Sequence, residues 1–179
     1  MNKVGHIIII MISVTAMVFS LSCNSCQSQK NAGKELKSES YVKASPDFNA
    51  DSAYFFTELQ VNFGPRTPMS AAHKACGDLL SDKLNSYGAT VTEQKADVIH
   101  YDGQNIELRN IIGSFNPDNK ERILLFAHYD TRPFADRETD KERQDKPIAG
   151  ADDGASGVAV LLGIARQIHL NPIDAGIDI

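Results

Sequence analysis

Two short segments hold residues that could do chemistry together. The first is His128-Tyr129-Asp130, directly after the apolar run Ile123-Leu124-Leu125-Phe126-Ala127. Residues i and i+2 of an extended segment point to the same side, so His128 and Asp130 share a face. A carboxylate beside an imidazole can hold one ring nitrogen and fix the tautomer that leaves the other free for a metal. On its own, the same pair also reads as a surface histidine beside a turn aspartate. The second segment is Gly150-Ala151-Asp152-Asp153-Gly154-Ala155-Ser156-Gly157. Its small residues permit close backbone approach, and acids at a helix start are favoured by capping and by the helix dipole. Capping accounts for one of the two acids, and a metal carboxylate is the rival reading for the other.

The elements around these segments determine whether they can meet. Ala53, Phe56, Leu59 and Phe63 recur at helical spacing and predict a helix from Ala50 that Gly64-Pro65 ends. A second helix is expected from about Ser70 to Tyr87, with Ala72, Ala75, Cys76, Leu79, Leu80 and Leu84 on its apolar stripe and Gly88 as a left-handed stop. Cys76 on that stripe reads as core packing, since a reactive thiol needs a positive, partly exposed setting. Ala89–Val98 and Asn105–Phe115 read as strands joined by the hairpin signal Asp102-Gly103. The run 123–127 suits a strand buried on both sheet faces, residues 131–148 a long charged loop, and Ala155–Ile168 a helix. Ligands of open α/β sheets bind beyond the carboxyl ends of the strands, which is where His128 would fall.

Composition narrows the partners. With 18 Lys and Arg against 23 Asp and Glu, the net charge is −5, which argues against nucleic acid or an anionic membrane surface as the main partner. Three cysteines, Cys23, Cys26 and Cys76, are too few and too badly placed for a disulfide-framed mini-protein. Residues 1–22 have the charged start, apolar stretch and small residues of an export signal ending at Cys23. An uncleaved anchor is the alternative, although the uninterrupted apolar core is short of the roughly 20 residues a span needs. Residues 23–47 are rich in Ser, Lys, Gln and Asn and read as a flexible tether, leaving 48–179 as the folded portion.

The pairing of Ala127-His128-Tyr129-Asp130-Thr131-Arg132-Pro133 with Gly150-Ala151-Asp152-Asp153-Gly154-Ala155-Ser156-Gly157 resembles the zinc aminopeptidases of peptidase family M28. Phe63-Gly64-Pro65-Arg66 and Leu108-Arg109-Asn110-Ile111-Ile112-Gly113 bring it nearest to the glutaminyl-peptide cyclotransferase branch. The resemblance implies an α/β fold, a mixed sheet with flanking helices of the phosphorylase/hydrolase-like zinc aminopeptidase type, present as an N-terminal portion and C-terminally truncated. It also implies that Asp153 and His128 are metal ligands, that Asp130 is the catalytic-site acid orienting His128, and that Asp152 is a cap or a supporting acid. Gly163 stands where related sequences commonly carry Glu.

The implied cofactor is Zn2+, one ion in a cyclotransferase and two in an aminopeptidase. The implied substrates are peptide or protein N-termini. In the cyclotransferase reaction the α-amine of an N-terminal glutamine attacks its own γ-carboxamide, giving pyroglutamate and ammonia. His73, His100 and His169 occupy ordinary helix and strand positions and read as surface or half-buried residues. The family's later acids have no counterpart before Ile179, so the chain as written is expected to be inactive. A non-catalytic exported fragment is the rival from another class. The expected location is exported, periplasmic or tethered to the membrane as a lipoprotein through Cys23, with contact to the membrane only through that signal or lipid.

Overall fold

The structure, a computed structural model, describes residues 45–179. The export signal, and the tether up to residue 44, therefore lie outside the described residues. Helix α1 runs Ala50–Val61 and opens with Asn49, whose side chain accepts from the Ser52 amide at 2.8 Å. Helix α2, Ala71–Ser86, opens likewise with Ser70 accepting from the His73 amide at 3.0 Å. Each cap satisfies a backbone donor that the first helical turn would leave unpaired. Strands β1 (Thr90–Ile99) and β2 (Asn105–Phe115) form an antiparallel hairpin, and Gly103 at its tip takes φ +85°. Strand β3 (Arg122–Leu124) and strand β4 (Gly176–Asp178) bracket helix α3, Gly157–Leu170.

The sheet order is β1-β2-β4-β3, with β4 antiparallel to β2 and parallel to β3. It is a mixed sheet with flanking helices, as expected. The core gathers Phe56 of α1, Cys76, Leu80 and Leu84 of α2, Phe115 and Ile177 of the sheet, and Val158, Leu162 and Ala165 of α3. Cys76 is fully buried there. Among the described residues no helix is long and apolar enough to cross a membrane.

One expectation fails. The run 123–127 is not a strand buried on both faces: Ile123 is 55% exposed, Leu124 65% and Phe126 83%. Strand β3 stops at Leu124 and lies at the edge of the sheet, paired among the described residues with β4 alone. Of the run, Leu125 packs against the core, and its amide extends the pairing to the Asp178 carbonyl at 2.9 Å. Apolar content showed that the segment could be covered. Coverage itself depends on neighbours distant in sequence.

Candidate metal centre

The chain leaves β3, passes Leu125, and reaches His128 as an exposed, extended segment. Residues Ala151–Ser156 form a wide π-type turn ahead of α3, with Asp153 extended at φ −100°, ψ 91° and the Asp153–Gly154 peptide cis. Gly154 is what lets the two segments touch: a Cβ there would stand 2.3 Å from the His128 carbonyl oxygen and 2.8 Å from its ring. Gly150 enters the turn at φ +62°, and a Cβ on it would meet Thr131 Cγ2 at 2.3 Å. The small residues of this motif are thus contact residues, not just flexible ones.

In the resulting arrangement, His128 Nε2 lies 2.9 Å from Asp153 Oδ1. On the other side of the ring, Nδ1 faces the Asp130 carbonyl oxygen at 3.1 Å and Asp130 Oδ1 at 3.3 Å. The three sequence-nominated residues, His128, Asp130 and Asp153, are brought together. Their side chains are 55%, 46% and 58% exposed, so the group is open to solvent. An imidazole with oxygen acceptors at both nitrogens is satisfied at Nε2 only by a cation, either a proton or a metal. When Nδ1–H donates to Asp130, Nε2 keeps its lone pair for that cation.

This donor set fits zinc in kind, since zinc takes imidazole nitrogen and carboxylate oxygen. A catalytic zinc uses three protein ligands, and no group of three or more His, Cys, Asp or Glu able to hold a metal gathers among the described residues. His128 and Asp153 supply two donors of the kind such a set uses.

Asp152 does not cap the helix. The turn and α3 both begin without a side-chain capping bond, and the Asp152 carbonyl accepts from Ser156 Oγ at 2.6 Å. The irregular turn displaces the helix start by several residues, which takes the Asp152 carboxylate away from the first-turn amides. Of the other histidines, His73 is half-buried and stacks flat on Tyr129, with ring centroids 4.6 Å apart. His100 pairs with Asp102 at 3.0 Å, and His169 lies 3.1 Å from the Tyr87 carbonyl oxygen. Tyr129, between His128 and Asp130, is half-buried against His73. Its buried hydroxyl has no hydrogen-bond partner among the described residues, and burial pushes it up to about 12.

Sequence reasoning gave no role to two buried polar residues that frame this site. Gln60 is fully buried and donates to the Ala155 and Phe56 carbonyls, each at 3.0 Å. Its position four residues after Phe56, on the inner face of α1, was the available signal. Arg66 is also fully buried, with its guanidinium among backbone carbonyls. Only its place in the Phe63-Gly64-Pro65-Arg66 motif marked it.

Residues 110–179 match Peptidase family M28. A glutaminyl cyclase of Bacteroides thetaiotaomicron, solved bound to N-acetylhistamine, is 53% identical with a TM-score of 0.73, covering 75% of this chain and 46% of that one. A Zn-dependent exopeptidase of Parabacteroides distasonis is 56% identical with a TM-score of 0.74, over 75% and 46% of the two chains. An uncharacterised protein of Escherichia coli (strain K12), YfbL, is 37% identical over 102 residues, 57% of this chain and 28% of that protein. The chain thus spans less than half the length of each of these relatives.

Proposed function

We propose, from a chain whose residues 110–179 match peptidase family M28 and whose fold is that of zinc exopeptidases and glutaminyl cyclases, that this is part of a zinc-dependent glutaminyl-peptide cyclotransferase. The observation that carries the reading is the 2.9 Å approach of His128 Nε2 to Asp153 Oδ1, with Asp130 behind the imidazole. His128 offers Nε2, Asp153 offers its carboxylate, and Asp130 keeps the proton on Nδ1. Zinc held there would polarise the carbonyl under attack and stabilise its developing oxyanion. In cyclisation the α-amine of an N-terminal glutamine bonds to its own γ-carboxamide carbon. The C–N bond to the carboxamide nitrogen breaks, and ammonia leaves.

The second reading is a two-zinc aminopeptidase, supported by the 56% identity to a Zn-dependent exopeptidase. On the strength of residues 1–22, we further propose an exported protein acting on peptide or protein N-termini.

Zinc binding to the full chain, followed by titration calorimetry, should weaken more than about tenfold in His128→Ala and Asp153→Ala and persist in Asp152→Ala. Loss in Asp152→Ala with retention in Asp153→Ala would move the ligand by one position. Turnover is read on a full-length relative, with a Gln-peptide and an aminoacyl-amide. Pyroglutamate with ammonia, at one zinc per chain, supports the cyclotransferase. Released amino acid at two zinc ions supports the exopeptidase. Bound zinc with neither product favours the non-catalytic reading.

A further inference from the structure

Arg66 is fully buried, and among the described residues every hydrogen bond of its guanidinium ends on a backbone carbonyl. Nε donates to Tyr129 at 3.0 Å. Nη1 donates to Gln60 at 3.1 Å, Gly64 at 3.3 Å and Ala149 at 3.1 Å, and Nη2 to Gly150 at 2.8 Å. The carbonyls come from three separate stretches: the end of α1, the segment that carries His128 and Asp130, and the entry to the turn that carries Asp153. Arg66 returns a contact, its own carbonyl accepting from the Thr131 amide at 3.0 Å. The 128–130 segment is thereby held on both sides of Asp130.

The Gly150 carbonyl has a second donor, the Ala155 amide at 3.2 Å. That bond closes the loop containing Asp152, Asp153 and Gly154. One guanidinium therefore ties the backbones bearing His128 and Asp153 to a common point, with no hydrogen bond to either side chain among the described residues. Burying a cation among neutral acceptors is unfavourable unless its donors are satisfied, and burial does lower the Arg66 pKa, with the Asp130 charge opposing that shift. A planar fork of five N–H groups reaches three stretches at once. The three donors of a lysine radiate from one atom and do not.

We propose that Arg66 is a positioning residue that sets the register between the His128 and Asp153 segments, and through it the affinity of that pair for a divalent cation. The proposal rests on the metal-ligand reading of the pair, and one arm of its test does not. In the first arm, hydrogen exchange of the zinc-free full chain is followed in Arg66→Lys. The Thr131 and Ala155 amides should exchange at least about tenfold faster, while α2 keeps its protection. In the second, zinc affinity should fall about tenfold in Arg66→Lys.

Leu84→Ala, a core truncation in α2 away from the site, is the control for general destabilisation and should leave both readouts unchanged under conditions where the chain stays folded. If Arg66→Lys fails to fold, Arg66→Gln, which keeps an amide donor pair, takes its place. Unchanged exchange at Thr131 and Ala155 overturns the proposal. So does lost protection with unchanged zinc affinity, or an equal loss of both in Leu84→Ala. A parent chain that takes up no zinc overturns the proposed function instead, and Arg66 is then judged on the exchange arm alone.

Discussion

Cys76 sits on the inner stripe of α2 with no exposed surface, and burial pushes its thiol up to about 11. Because the thiolate is the reactive form, alkylation of a chain lacking Cys23 and Cys26 should be negligible under native conditions and should appear together with global unfolding. Fast labelling of folded protein would show that α2 opens locally. Single residues were legible in the sequence where a short-range rule applied. Periodicity placed Cys76 inside, and the two-residue repeat of an extended chain put His128 and Asp130 on one side. The approach of Asp153 to His128 follows from no local rule; the placement of their segments at the ends of a strand and a helix suggested it, and the resemblance supplied their roles. Of the two readings of Asp152, the cap failed because a helix start was assumed to be regular. The roles of Gln60 and Arg66 were invisible, since their partners are main-chain oxygens that every residue possesses.

Among the elements, the turn before α3 is the most constrained. Gly150 and Gly103 both have left-handed φ, +62° and +85°, but a Cβ on Gly103 meets nothing within 4 Å, whereas one on Gly150 meets Thr131, Asp153 and Arg66 atoms at 2.3, 2.7 and 3.0 Å. Gly103→Ala should therefore cost only the backbone penalty, about 1 kcal/mol, and Gly150→Ala about 1–3 kcal/mol more from crowding. Urea denaturation of the two variants reads the difference, and equal costs would mean that the turn yields without resistance. The helices α1 and α2 and the β1–β2 hairpin were readable because capping, periodicity and turn residues act within a few positions. The exposure of β3 was not, because the order of strands determines which one becomes an edge.

At the scale of the molecule, the late strand β4 is fastened across the sheet by one ionic cluster. Arg122 donates Nε and Nη2 to the two Asp178 carboxylate oxygens at 2.8 and 2.5 Å, and Ser114 Oγ donates to the same group at 2.6 Å. The Arg122 and Ser114 hydrogen bonds hold the Asp178 carboxyl down at about 2. A carboxyl depressed in the folded state contributes stability above its ordinary pKa and loses it as pH falls toward the folded value. The advantage in Tm of the parent over Asp178→Asn should accordingly shrink between about pH 4 and pH 2; parallel curves through that window would remove Asp178 from the acid response. The long charged loop behaves differently. Among the described residues the hydrogen bonds and ion pairs of residues 133–147 stay within 132–148, while its two roots are fixed by Thr131 N–H on the Arg66 carbonyl and Ile148 N–H on the Arg132 carbonyl. It is a cassette: exchanging its inner stretch, residues 135–147, at the bench should leave the frame that presents His128 and Asp153 in place.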